Sequence, residues 1–171
     1  MELLKPELIM AVERLEVKLI KKFLYSGWDV NFPLTSVGIG FLSLVMGIDP
    51  EILMADGCAK QYLEILKSLK KTKPRANLHI TDKLGRTCMH HAASTGNVLG
   101  IEFIVKLMRY WHEKDSCEND SDDKFLQSVK SLIEKRSSGG LTALMLASKA
   151  NSVHSVKILL ELGADPNQVD N

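Results

Sequence analysis

The apolar positions of the chain fall into a recurring helical pattern, clearest near the C-terminus in GGLTALMLASKANSVHSVKILLELGADPNQVDN. Thr142 precedes an apolar run and can cap a helix with its hydroxyl. Leu144 and Ala147 share one face of that short helix. Val153, Val156, Ile158, Leu159 and Leu160 give a second helix its apolar side. Gly163 supplies a left-handed stop, and Asp165-Pro166-Asn167 is turn chemistry. The unit is therefore turn, short helix, longer helix, turn. The same ruler fits upstream. With Thr87 on Thr142, Gly85 falls on Gly140, Met89 on Leu144, Ala92 on Ala147, Ile101 on Val156 and Phe103-Ile104 on Ile158-Leu159. At the N-terminus Leu8 matches Leu144, Ala11 matches Ala147, Ile20 matches Val156, and Gly27-Trp28-Asp29-Val30-Asn31 matches residues 163–167. A looser unit lies between, with a first helix over residues 41–46, part of a second over 62–66, and Ala76-Asn77-Leu78-His79 at its turn. Leu8 to Leu42 is 34 residues. No such unit can bury its apolar face alone, so units must stack.

This pattern resembles the ankyrin repeat, a unit of about 33 residues built around T-P-L-H-x-A-A and G-A-D-x-N. The likeness is closest over residues 82–105 and 138–170 and looser over 3–31. It implies an all-α ankyrin-repeat solenoid, with short turn fingers, forming one domain over 1–171. Repeats are expected at 3–35, 36–81, 82–137 and 138–170, with insertions at 47–58 and 108–136. The last unit ends at Gln168-Val169-Asp170-Asn171, where the aspartate of another unit would begin, so a longer protein is expected.

The insertions have their own patterns. Asp49-Pro50-Glu51 reads as a helix start with Pro at the first helical position; Ile52, Leu53 and Met54 should pack, and Asp56-Gly57 should end it. The second insertion opens as a continuation of a long helix, FIVKLMRYWHEK, and passes into DSCENDSDD, expected to be a mobile acidic loop. It closes on Phe125, Val129, Leu132 and Ile133 at helical spacing, an amphipathic helix against the stack. A calcium loop needs Gly at its sixth position and Glu at its twelfth. Counted from Asp115 these hold Asp120 and Leu126, so no calcium site is expected.

Composition narrows the class. The chain has 171 residues, 45% apolar and 25% charged, with a formal net charge of +1. No strong field draws it to nucleic acid or an anionic membrane. Cys58, Cys88 and Cys117 are an odd, widely spaced set, which suits a reducing compartment. Residues 30–48 lack charge but carry Asn31, Pro33, three glycines and several hydroxyls, so a buried segment is expected rather than a membrane span. The N-terminus is charged and is not a signal peptide. A cytoplasmic location follows, with the nucleus as the alternative.

GRTCMHHAASTGN, residues 85–97, places Cys88 near His90 and His91 and raises metal or nucleophile chemistry. Three ligands from one helix turn do not converge on a metal. The resemblance implies instead that Thr87 and His90 brace the turn, that Cys88 stands at the consensus proline, and that His91 faces the open side. The basic run KSLKKTKPR, residues 67–75, reads as a solvated helix end rather than a phosphate site. No phosphate-binding loop, G-x-S-x-G or H-E-x-x-H is present. No enzyme activity, cofactor or metal is expected. The resemblance implies a protein-interaction module whose groove binds a protein or peptide partner, with no nucleic acid, no membrane insertion and a monomeric state. The alternative is the N-terminal targeting domain of a larger enzyme. The implied contact residues are Lys83, Leu84 and Arg86 on one finger, with His91, Ser94 and Thr95 on the adjoining helix. Glu13, Arg14, Trp28 and Phe32 stand at one end, and Leu141, Lys149 and Ala150 at the other. Trp28 replaces the usual alanine, and it either meets a partner or packs against an insertion.

Overall fold

A computed structural model describes residues 5–115 and 122–171. Ten helices follow in order among the described residues: α1 (Lys5–Glu13), α2 (Val17–Tyr25), α3 (Phe41–Met46), α4 (Pro50–Leu53), α5 (Cys58–Leu69), α6 (Cys88–Thr95), α7 (Val98–Asp115), α8 (Asp122–Ile133), α9 (Ala143–Lys149) and α10 (Val153–Glu161). In repeat order the pairs are α1–α2, α3–α5, α6–α7 and α9–α10, and direct packing within the pair is close in the first, third and fourth. The first members form an inner row, α1 on α3 on α6 on α9. The second members lie behind, with α2 on α5 and α7 on α10. No helix among the described residues is long and apolar enough to cross a membrane. Much of the uncharged stretch is core: Val30, Leu34, Phe41, Leu42, Val45, Met46 and Ile48 are buried.

The inner and outer helices of a pair are joined by a tight left-handed step. Leu15, Gly96 and Asn151 all have positive φ, at 53°, 73° and 53°. In each case the next amide reaches back to the last helical turn: Glu16 to the Ala11 carbonyl, Asn97 to Ala92 and Ser152 to Ala147. This is the Schellman-type closure that satisfies helix-end carbonyls. Helix starts are capped as the residues suggest. Asp49 accepts from the Glu51 amide with Pro50 following, and Thr142 accepts from the Met145 amide at 3.4 Å.

Between α5 and α7 the stack is held by a buried polar cluster. Asn97 shares its two side-chain amide protons among three acceptors, the Tyr62 hydroxyl at 2.9 Å and the carbonyls of Met46 and Ile48 at 3.2 and 3.3 Å. Its oxygen accepts from the Gly100 amide at 2.9 Å. Tyr62 in turn points its hydroxyl at the Met46 sulfur, 3.8 Å away. Every strong hydrogen-bonding group of this cluster has a partner, as burial demands. Gly100 permits the close approach: a Cβ there would lie 3.0 Å from the Met46 sulfur and 3.1 Å from the Tyr62 hydroxyl.

The first insertion departs from expectation. α4 is a single turn that buries only Leu53, while Ile52 is exposed and Met54 is 84% exposed. One helical turn offers one side to α5, so three consecutive apolar residues cannot all face it. The second insertion matches its pattern. α7 runs for 18 residues against nine in α10, and α8 buries Phe125, Val129, Leu132 and Ile133 against the stack. The acidic loop expected within DSCENDSDD falls mostly on residues 116–121, outside the described residues; Asp115 ends α7 and Asp122-Asp123 open α8.

Candidate partner-binding surface

The fingers between helix pairs are shaped by short-range polar chemistry. Asp82 Oδ1 accepts from the amides of Leu84 and Arg86, both at 2.9 Å, which folds residues 82–86 into a turn. Asp82 Oδ2 accepts from Arg86 Nε at 2.9 Å and faces His91 Nε2 at 3.2 Å. Burial alone would push the Asp82 carboxyl up. The Arg86 amide and guanidinium and the Leu84 amide outweigh it and hold it below the ordinary carboxylate value. Burial, helped by the Arg86 charge, holds the His91 imidazole below its ordinary value, so a neutral ring donates Nε2–H to Asp82.

His91 therefore corrects the expectation that it faces the open side: it is 8% exposed and belongs to the base of the finger. Its partner Asp82 arrives from the preceding turn, nine positions earlier, and takes the ring inward. Arg86, expected on the open finger, is half-buried and committed to the same carboxylate.

His90 braces the turn and also joins two helix pairs. Nδ1 accepts from the Thr87 amide at 3.1 Å and lies 2.8 Å from its hydroxyl. Nε2 donates to the Leu141 carbonyl at 3.1 Å. That arrangement fixes the Nε2–H tautomer, and burial holds the ring below its ordinary pKa. Met145 stands at the equivalent position of the last pair, where the Thr142 amide meets its sulfur at 3.5 Å. Cys88 is buried, directs its thiol to the Leu78 carbonyl at 3.5 Å, and has its pKa pushed up to about 12 by burial. Thus Cys88, His90 and His91 take three separate partners. Among the described residues no group of three His, Cys, Asp or Glu side chains converges on a common point.

Neighbouring fingers are stitched by backbone. The Lys83 amide donates to the Val37 carbonyl at 2.9 Å, and the Ser138 amide to the Leu84 carbonyl at 2.8 Å. Gly85 and Gly140, at φ 71° and 77°, allow this contact. A Cβ on Gly85 would meet the Ser138 amide nitrogen at 2.8 Å, and one on Gly140 the Asn171 amide nitrogen at 2.6 Å. The result is a row of tips in register, with Lys83 exposed, Leu84 57% exposed and Val37 48% exposed. Nothing in the sequence pattern singles out Val37; the signal for it is only its position within the Thr35-Ser36-Val37-Gly38 turn.

The remaining expected contact residues are spread along the inner row. Ser94 and Thr95 are half-buried, and their hydroxyls donate to carbonyls of their own helix. Lys149 and Ala150 are exposed at the matching end of α9, and Glu13 and Arg14 at that of α1. Leu141 is half-buried and lines an open recess of about 560 Å³ with Leu144, Met145, Lys149, Val156 and Leu160. Trp28 is half-buried and packs edge-on against Phe41 of α3, with ring centroids 6.2 Å apart, so it meets the next helix pair rather than an insertion. Phe32 is 45% exposed with Lys5 Nζ 4.7 Å above its ring.

The basic run is less simply solvated than expected. Lys70 Nζ sits 5.0 Å over the Tyr110 ring, and Arg75 pairs with Asp115 and lies 5.9 Å over Trp111. The extended end of α7 thus meets a stretch that sequence alone reads as a plain helix end.

Known proteins give this geometry a family. The chain is 28% identical over 120 residues to a probable E3 ubiquitin-protein ligase, XBOS32, of Oryza sativa subsp. japonica, covering 65% of this chain and 24% of that protein. It is 30% identical over 103 residues to the regulatory protein SWI6 of Kluyveromyces lactis, covering 54% of this chain and 13% of that protein. The chain thus spans a quarter or less of the length of either relative. The family model for ankyrin repeats matches residues 52–170 as three copies. With its fingers in register and its helix pairs stacked, the chain belongs to the ankyrin repeat family.

Proposed function

We propose that the chain is a non-catalytic interaction module that binds a protein or peptide partner along its finger tips and inner helices. The observation that carries this reading is the backbone-stitched row of tips, which holds Val37 and Leu84 exposed beside Lys83. Apolar side chains held out on a rigid backbone cost little ordering entropy when a partner covers them. Such extended surfaces are how solenoids engage proteins. The contact set is then Val37, Lys83, Leu84, Ser94, Thr95, Leu141, Lys149 and Ala150, with Glu13, Arg14 and Phe32 toward the other end. Trp28 contributes through its packing on Phe41. The pair α1–α2, which precedes the matched copies, serves as a further repeat in this reading. The protein works as a monomer in the cytoplasm or nucleus.

A second reading, a recruiting domain within a larger enzyme, is favoured by the partial likeness to a probable ubiquitin ligase. Affinity capture with wild type and with the Val37→Glu/Leu84→Glu double variant tests the surface. Circular dichroism confirms that the variant stays folded. Partners that depend on the tips are lost from the folded variant. An identical captured set would remove the assignment.

A further inference from the structure

A second recess lies where the insertion meets the turn of the second repeat. The long α7 extends beyond the length of its counterpart α10, and α8 packs against it. Between the end of α7, α8 and the turn at residues 75–79 lies a cavity of about 440 Å³. Its walls include Arg75, His79, Met108, Trp111, Phe125 and Ser128. That volume falls in the range of roughly 300–1,000 Å³ typical of ligand sites.

Three features say what the recess would take. First, the Trp111 indole N–H is closed off from water and has no hydrogen-bond acceptor among the described residues. A buried donor without a partner keeps the full desolvation penalty of the group, so an incoming acceptor is favoured. Second, Arg75 lines the recess, and two further cations stand beside its lining residues. Arg75 lies over Trp111, Arg109 lies 4.5 Å over the Phe125 ring, and Lys135 is near enough to act on His79. Among the described residues the one carboxylate lining it is Asp115, paired with Arg75. Third, that pair is exchangeable, since the two side chains are 47% and 60% exposed and exposed ion pairs hold weakly.

We propose that this recess is a second binding site, for an acidic peptide segment. The segment's apolar side chain enters against Met108, Trp111 and Phe125. Its carboxylate replaces Asp115 on Arg75 and, as the Arg75 side chain shifts, accepts from the Trp111 indole. Arginine favours carboxylates through paired, charge-assisted hydrogen bonds. A single nucleic-acid strand suits the site less, because such strands stack successive bases on several aromatic faces along a charged groove, whereas this is a single recess beside Trp111 and Phe125. The site is independent of the finger-tip surface.

The test uses the indole N–H signals of the two tryptophans in a proton–nitrogen correlation spectrum, with Trp28→Phe assigning that of Trp111. The probes are the capped peptides EELFEE, EESSEE and KKLFKK and a thymidine hexanucleotide. EELFEE is expected to move the Trp111 signal downfield and saturate, EESSEE to bind more weakly, and KKLFKK not to bind. Arg75→Glu should weaken EELFEE about tenfold or more, the factor for losing one ion-paired hydrogen bond. Leu84→Glu should leave it unchanged, separating this site from the finger tips. Trp111→Phe, read by anisotropy of labelled EELFEE, should also weaken binding; if that variant does not fold, Arg75→Glu on the exposed rim decides. No movement of the Trp111 signal, equal binding of KKLFKK, an equal shift by the hexanucleotide, or an indifferent Arg75→Glu would each overturn the proposal.

Discussion

Asn97→Ala is expected to loosen the join between the second and third helix pairs. Its side-chain nitrogen shares two protons among three acceptors and its oxygen accepts once, all buried. Truncation strands the Gly100 amide and weakens the environment of the Met46 and Ile48 carbonyls and the Tyr62 hydroxyl. Each strictly unsatisfied buried group costs about 1–3 kcal/mol. The Tyr62 hydroxyl retains its contact with the Met46 sulfur, and water can enter the space left, so the sum is held to about 3 kcal/mol. For a chain of this size about 1 kcal/mol moves the melting temperature by about 2–4 °C. The expected loss is therefore about 6–12 °C, read by circular dichroism or calorimetry. Tyr62→Phe removes one member alone and should cost about 1 kcal/mol, with the double variant costing less than the sum, because the two groups share a hydrogen bond. A melting temperature within 2 °C of wild type, at about the precision of the scale used, would refute the idea that this cluster holds the two pairs together. So would strict additivity with Tyr62→Phe.

Gly85→Ala should destabilise by more than about 1 kcal/mol, since it combines a left-handed φ with a backbone nitrogen at 2.8 Å, whereas Gly27→Ala meets open space and bears only the φ strain; urea melts of both variants compare them. Stability should fall as the pH drops below the ordinary histidine value of 6.5. His79, His90 and His91 have folded pKa values below it, so the unfolded chain binds more protons there. The histidine contribution is complete above that value and is lost through the window beneath it. Urea midpoints at pH 7.5 and 5.5 check the direction, and His90→Asn should flatten the slope. The Cys88 thiol, buried and pushed up to about 12, should resist alkylation in the native protein and react only on unfolding, as mapped by mass spectrometry.

Much of the scaffold is written locally. Thr87, His90, Ala92 and Gly96 lie within ten positions, and their roles follow from spacing, so the turn and inner helix are readable without the rest of the chain. The Phe125, Val129, Leu132 and Ile133 face is equally local, and α8 buries all four. What could not be read depends on distant meetings. His91 turns inward because Asp82 comes to it. Val37 becomes part of a surface because the Lys83 amide takes its carbonyl. Arg75 and Trp111 meet only once α7 has outrun its counterpart. Ile52 and Met54 mislead for a different reason: an apolar run on one helical turn has no period to say which residue is inside.

The placement of the two insertions has a consequence for how such a chain can change length. One leaves the stack between an inner helix and its outer partner, and the other leaves after an outer helix. Neither interrupts a finger or the step from finger to inner helix. Loop closure becomes only about 0.6 kcal/mol more costly with each doubling of length. Added segments can therefore lengthen, acquire helices and acquire chemistry of their own, while the step from the Val37 tip to the Leu84 tip along the front stays as the backbone stitching sets it. The molecule has in effect two faces free to diverge at different rates, one metered by the repeat and one open to elaboration.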